Sequence, residues 1–376
     1  MAFMPLVPAA ALLLVLVVRA AVLRRALHAV PVRIHVGGTR GKTTVCRMIS
    51  AGLRASGVRT LAKTTGTEPM LLLPDGTERR WQRIGPPTIA EQRRFAVLAQ
   101  RLGARATVLE CMAIRPELVL ASERWLVRAT VAVLTNVRPD HFEDLPSQES
   151  NAASHLGLVP AGGVLVAAEE ALSQPLRDRA SALGTRIVAV PTGGLPAEAA
   201  NRALAEAACK AAGCVDPDIP DPPPDAGTFS IAAVRLDGKS FRIANAFACN
   251  DVVSLDQLWR EHTDAAAPAM VLLNHRNDRP LRSLQFLDYF ASRPAPPRVL
   301  LLGGTAWLRR AARQRGLDAS AIASLPWTSG RTLLRRVAKA AAEGTTVWGV
   351  GNYHGRGAAL LQALAAETPG TRPCSH

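Results

Sequence analysis

Lysine is scarce in this chain. Of 45 basic residues only five are lysine (Lys42, Lys63, Lys210, Lys239 and Lys339) and the rest are arginine. An ammonium is a compact point charge that reaches one phosphate oxygen, whereas a guanidinium is a flat fork suited to bidentate contacts. A lysine retained inside a glycine- and threonine-rich motif, as Lys42 and Lys63 both are, therefore marks a candidate phosphate contact. Aromatic residues make up 4% of the chain, and neither a stacking platform nor a nucleic-acid recognition motif is visible, so no nucleic-acid partner is expected. The formal charge of +15 equally suits an enzyme that handles nucleotides and polyanionic carboxylates. Paired C-x-x-C spacing is absent as well. Cys46, Cys111, Cys209, Cys214, Cys249 and Cys374 are scattered, mostly in apolar stretches, which excludes a cysteine zinc site and implies a reduced, cytoplasmic catalytic part.

Charge is also missing from residues 1–18, which are dominated by Ala, Leu and Val and are followed by Arg19, Arg24 and Arg25. A secretory signal has its cations before the apolar run, and here they follow it. The expectation is a membrane anchor over residues 1–25. It would be a single transmembrane helix in the inner membrane, with the catalytic domains on the cytoplasmic side. A peripheral anchor is the alternative, because the stretch is short and carries Pro5 and Pro8.

From Val32 onward short β-branched runs alternate with helix-like segments: 32–36, 106–109, 131–135, 164–167 and 186–190. This is the pattern of an α/β domain with a mostly parallel sheet. The proline-rich stretch 218–227 continues neither helix nor strand and reads as a linker. Runs at 270–273, 298–302 and 346–350, with helical segments at 281–291 and 331–342, predict a second, smaller Rossmann-like α/β domain. The expected organisation is a P-loop domain over 31–220 and a C-terminal domain over 226–376, with no internal repeat.

The first strand runs into Gly37-Gly38-Thr39-Arg40-Gly41-Lys42-Thr43-Thr44, and a helix follows near Val45. Glycines let backbone N–H groups turn toward phosphates, and the helix N-terminus adds its dipole. Lys42 reaches the terminal phosphates, and the Thr43 hydroxyl can hold Mg²⁺. Val36 stands where a strict Walker loop has glycine, so this is the shorter G-T-x-G-K-T form.

That shorter loop resembles the one in Mur ligases and folylpolyglutamate synthases, which activate a carboxylate as an acyl phosphate before an amine attacks. The motifs Lys63-Thr64-Thr65-Gly66-Thr67, Leu109-Glu110-Cys111-Met112-Ala113 and Thr135-Asn136-Val137 with Asp140-His141 are similar to those of the PgsB/CapB family, the ligase subunits of poly-γ-glutamate synthases. So are Gly85-Pro86 before Glu91-Gln92, and Phe247-Ala248-Cys249-Asn250-Asp251. The segment Asn274-His275-Arg276-Asn277-Asp278-Arg279 with Arg282, and Gly351-Asn352-Tyr353-His354-Gly355, complete the series. These motifs run in family order from residue 32 to residue 356.

The resemblance implies a Mur-ligase-like P-loop ATPase domain followed by the smaller domain, and ATP with Mg²⁺, or Mn²⁺ in its place. Gly38, Thr39, Arg40, Gly41, Lys42, Thr43 and Thr44 would hold the nucleotide. Thr43, Glu110, His141 and Thr65 would hold metal. Asn274, Arg276, Asp278, Arg279 and Arg282 form one strand-to-helix connection that in related ligases faces the nucleotide, with Arg276 and Arg279 placed to stabilise the transferring phosphoryl group. Lys42, Glu110, His141, Arg276 and Arg279 are the candidate catalytic residues. One departure is plain. Most Mur ligases place a carbamylated lysine after the Asp-His motif, and no lysine occurs here between Lys63 and Lys210. The implied partners are glutamate and a growing poly-γ-glutamate chain, small membrane and extracellular subunits, and the membrane, with a homo-oligomer left open. The rival readings are a Mur-type ligase for another amino acid or peptide, and a membrane-attached P-loop ATPase that does not ligate.

Overall fold

The computed structural model of the protein describes residues 6–66, 69–137, 153–221, 227–249, 251–263, 269–277, 279–303, 306–326 and 328–367. They form two compact units, Met1–Pro223 and Pro224–His376.

In the first unit eight strands are ordered β4-β3-β2-β5-β1-β6-β7-β8. They are β1 (Val32–Gly37), β2 (Thr60–Lys63), β3 (Met70–Leu72), β4 (Glu78–Arg80), β5 (Ala106–Glu110), β6 (Val131–Leu134), β7 (Val164–Ala168) and β8 (Arg186–Val190). The strands from β2 to β8 pair in parallel, and β3 and β4 add an antiparallel edge. β5 and β6 are buried at every position, as central strands covered on both faces must be. Helix α2 (Lys42–Ala55) places Val45, Met48, Ile49 and Leu53 on one buried face, the spacing of an amphipathic helix on a sheet. Its neighbours are α3 (Glu91–Arg101), α4 (Pro116–Ala121), α5 (Gln174–Ala182) and α6 (Ala197–Ala211).

The expected transmembrane helix is not met. Helix α1 (Leu6–Ala29) carries Arg19, Arg24 and Arg25 within its length, and its uncharged stretch 6–18 is thirteen residues long. At 1.5 Å per residue that covers about 20 Å, roughly two-thirds of a bilayer's hydrocarbon core. Among the described residues no helix is long and apolar enough to cross a membrane. Instead the C-terminal half of α1 is docked: Leu23, Ala26 and Leu27 are buried with Ala96 and Leu126. Burying the two leucines contributes roughly 3–6 kcal/mol before entropy is counted. Leu12 to Val18 stay exposed.

The second unit holds a six-stranded sheet in the order β13-β12-β11-β14-β10-β9. Its strands are β9 (Ile231–Leu236), β10 (Lys239–Asn245), β11 (Ala269–Asn274), β12 (Arg298–Leu302), β13 (Ile322–Leu325) and β14 (Thr346–Val350). Only β9 is antiparallel to its neighbour. Helices α7 (Val252–His262), α8 (Pro280–Ala291), α9 (Ala306–Gln314), α10 (Gly330–Ala340) and α11 (Arg356–Glu367) accompany the sheet. Both units are α/β with mostly parallel sheets, as expected. The free cysteines Cys46, Cys111 and Cys209 are buried, in keeping with small core residues.

Candidate active site

At the C-terminal edge of the first sheet, adjacent strands β5, β1 and β6 end on Glu110, Gly37 and Leu134. The connection after β1 turns back over this edge. Gly38 and Gly41 have φ of 118° and 80°, a region that favours glycine. A Cβ at Gly38 would collide with the Thr135 hydroxyl and approach the Asn136 N–H, and one at Gly41 would collide with the Asn201 side chain. Asn136 holds the loop from below. Its carbonyl accepts from Thr39 N–H at 2.9 Å, its side-chain oxygen accepts from Arg40 N–H at 3.0 Å, and its amide donates to Arg40 O at 3.1 Å. The Thr135 hydroxyl donates to the same Arg40 carbonyl at 2.5 Å.

Lys42 is the first residue of α2 and folds over this loop, donating from Nζ to Gly38 O at 2.8 Å and Thr39 O at 3.1 Å. Thr43 follows, and its hydroxyl donates to Glu110 Oε2 at 3.0 Å. The same oxygen accepts from Thr65 N–H at 2.6 Å, so Thr65 is brought to Glu110 through its main chain. Glu110 is 3% exposed. A buried carboxylate with one hydroxyl, beside a phosphate loop, is a donor set suited to Mg²⁺, which takes one or two carboxylates and fills its remaining positions with water and phosphate oxygens. Thr44 stands half-buried in the same first turn. His141 and Asp278 lie outside the described residues.

The sequence reading passed over His155. It opens a short 3₁₀ turn, His155–Leu158, whose Leu158 packs against Gly37. Its Nε2 is buried without a hydrogen-bond partner. Burial and then the nearby Lys42 cation pull its pKa down to about 4, so the ring is neutral near pH 7. A lone histidine before an apolar strand carries little signal in sequence, and only the fold reveals its neighbour.

Lys63 has a different role from the one its motif suggested. It is fully buried and its Nζ lies 2.8 Å from Glu91 Oε2, while Arg83 reaches the other oxygen at 3.1 Å. Burial pulls Lys63 down. Burial acts the other way on Glu91, yet Lys63 and Arg83 hold its carboxyl below the usual range. Lys63→Met removes one partner of a buried pair and should cost about 3 kcal/mol, because Glu91 is left with Arg83 alone. The midpoint of urea unfolding measures this, and an unchanged midpoint would refute the structural role. A second buried pair, His35 Nδ1 with Glu123 Oε2 at 2.8 Å, lies in the body of the sheet and was not foreseen.

In the second unit the expected connection leaves the C-terminal end of β11 next to that of β14. Asn274 is 3% exposed, and its amide donates to Asn352 O at 2.6 Å and His354 O at 2.9 Å. The two strand ends are thus laced together, at the edge where open α/β sheets take ligands. Arg276 and Arg279 are half-buried and Arg282 is buried at the start of α8. Asn250 lies outside the described residues, and Asp251 caps α7 by accepting from Ser254 N–H at 2.7 Å.

Comparison with known proteins gives this geometry a family. Residues 36–211 match the Mur ligase middle domain, and residues 231–367 match the poly-gamma-glutamate synthase CapB C-terminal domain. The chain belongs to the Mur ligases of the CapB type. It is 26% identical over 360 residues to the PGA synthase CapB of Bacillus subtilis (strain 168), covering 90% of this chain and 91% of that one. It is 27% identical over 372 residues to the capsule biosynthesis protein CapB of Bacillus anthracis, covering 93% and 80%. Among solved structures, a bifunctional folylpolyglutamate synthase/dihydrofolate synthase with Mn, AMPPNP and L-glutamate bound superposes with a TM-score of 0.62. That structure shares 18% identity and covers 92% of this Mur ligase and 93% of its own chain, and the likeness shows the fold.

Proposed function

We infer that this Mur ligase is an ATP-dependent amide ligase that lengthens poly-γ-glutamate through an acyl phosphate. The observation that carries the reading is the Lys42 loop joined to the Thr43–Glu110 pair, in a chain whose remaining length matches the CapB C-terminal domain. The loop N–H groups and Lys42 gather the triphosphate, and the terminal carboxylate of the glutamate chain takes the γ-phosphoryl group. The amine of the next glutamate then attacks the acyl carbon, phosphate leaves, and the amide remains. Thr43 and Glu110 would hold Mg²⁺ or Mn²⁺, with His141 proposed beside them. The metal supplies charge neutralisation at the phosphates.

Residues 31–220 carry the nucleotide chemistry in this proposal, and 226–376 contribute Arg276 and Arg279 to the phosphoryl group. Asn274 and Arg282 support that connection. The exposed apolar stretch of α1 supports a location at the inner membrane, beside small membrane and extracellular subunits that receive the polymer.

His155 is assigned to the phosphate side of the site, where the N–H of its neutral ring offers a donor beside Lys42. His155→Ala should weaken binding of a non-hydrolysable ATP analogue about tenfold, the scale of one good hydrogen bond to a charged group. Calorimetric titration reads the change, and unaltered affinity removes His155 from the site.

The test of the whole reading is ADP release by membranes containing the protein and its partner subunits, with and without glutamate. Glutamate-stimulated release together with a γ-linked polymer is the expected result. Hydrolysis indifferent to glutamate would point to another acceptor or to an ATPase without ligation.

A further inference from the structure

At the opposite edge of the first sheet, where β1, β6, β7 and β8 begin, lies an open cleft of about 1270 Å³ walled on one side by α1. Arg24, Arg93, Arg124, Arg128, Arg179 and Arg186 line it. Among the described residues none of these six takes part in an ion pair. The single acid in the lining, Glu123, is already committed to His35 at 2.8 Å and to Ala129 N–H at 2.7 Å. Arg93 Nε is buried with no hydrogen-bond partner. A seventh arginine, Arg33, spends its donors on the carbonyls of Leu27, Val30 and Arg128. Burial, and then the neighbouring Arg128 cation, lower its pKa. So many uncompensated guanidiniums in one concavity form a strong positive field that an anion would relieve.

Two neighbours of the cleft indicate which anion. Helix α1 contributes Leu23, Arg24 and Leu27 to the wall, and one to three turns earlier the same helix exposes Leu12, Leu13, Leu14, Val15, Leu16, Val17 and Val18. At the rim, Trp125 is 63% exposed with the Arg124 guanidinium stacked on its ring at 5.0 Å. Apolar helix surface, exposed tryptophan and clustered arginine together are the signature of a surface at the membrane–water interface. A soluble polycarboxylate would need the arginines but not the apolar helix. The phosphate loop, where product is made in the reading above, also sits at the far end of β1.

We propose that this cleft binds the headgroups of anionic phospholipids, holding the first unit against an acidic membrane surface. The proposal extends the membrane location suggested above and does not depend on the ligase reading. Hydrophobic insertion of α1 is indifferent to headgroup charge, so the two contributions are separable.

The experiment measures binding of the full chain to phosphatidylcholine vesicles with and without phosphatidylglycerol. The wild-type chain is compared with Arg24→Gln/Arg124→Gln/Arg186→Gln, three exposed side chains outside the active site. With each arginine near an anionic surface contributing about fivefold, the triple variant should bind the acidic vesicles about a hundredfold more weakly. It should bind neutral vesicles as the wild type does, and its thermal unfolding and vesicle-free ADP release should be unchanged. Lysine at the same three positions should restore binding. Equal binding of the wild type to both vesicle types, or an unaffected triple variant, would overturn the proposal. So would soluble poly-γ-glutamate that binds the wild type and not the triple variant while both vesicle types are bound alike, an outcome that gives the cleft to the polymer.

Discussion

Lys42→Ala should lower glutamate-dependent ADP release by ~10²-fold or more, most of it in kcat. The loop's backbone N–H groups and the dipole of α2 survive this change, so nucleotide still binds. What disappears is the cation held over the loop by Gly38 O and Thr39 O, the group that the proposed function sets against the charge that builds as the γ-phosphoryl group transfers. Lys42→Arg should not restore the rate, because a planar guanidinium does not fit between two carbonyls as an ammonium does. Steady-state kinetics in ATP and glutamate check both variants. A Lys42→Ala enzyme with wild-type kcat would remove Lys42 from the transition state and the phosphate loop from the chemistry.

Glu110→Gln is expected to be comparably damaging, ~10²-fold or more, for a different reason. Glutamine keeps an oxygen that can accept from Thr65 N–H and from Thr43, so the hydrogen bonds now made at 2.6 Å and 3.0 Å retain an acceptor and the strand end keeps its shape. Only the negative charge is lost, and with it the attraction for a divalent ion. Activity as a function of Mg²⁺ concentration should therefore shift to higher concentration as the maximum falls, while the urea midpoint stays near that of the wild type. An unchanged Mg²⁺ dependence would mean that Glu110 serves the fold alone.

Much of this was legible before the fold was known, wherever residue type and spacing alone determine the outcome. Val32–Gly37 and the loop after it were readable because a buried strand, two glycines at positive φ and a helix N-terminus leave few alternatives. Of the parallel strands, β1, β5, β6, β7, β8, β11, β12 and β14 were readable as short, mostly β-branched or apolar runs, whereas β2, β10 and β13 were not foreseen. Two hairpins were missed although their turns are written in the chain. Asp237-Gly238, with φ of 52° and 76°, joins β9 to β10 in a two-residue turn. Pro74-Asp75-Gly76 joins β3 to β4, with Asp75 accepting from Thr77 N–H at 2.9 Å. The docking of α1 was not legible. Leu23, Ala26 and Leu27 continue the same apolar composition as Leu12 to Val18, and only the partner surface at Ala96 and Leu126 distinguishes the buried part from the exposed part. Long-range neighbours such as His155 beside Lys42, or Glu91 under Lys63, depend on strand order, which local pattern does not encode.

Helix α6 touches the phosphate loop with one residue and the start of the linker with the next. Asn201 abuts Gly41, and Arg202 donates to Ile219 O at 2.5 Å and pairs with Asp221. One turn of α6 therefore carries two loads at once, the close approach to Gly41 and the anchoring of Ile219 and Asp221. A change that shifts this turn would reach the phosphate loop and the end of the first unit together.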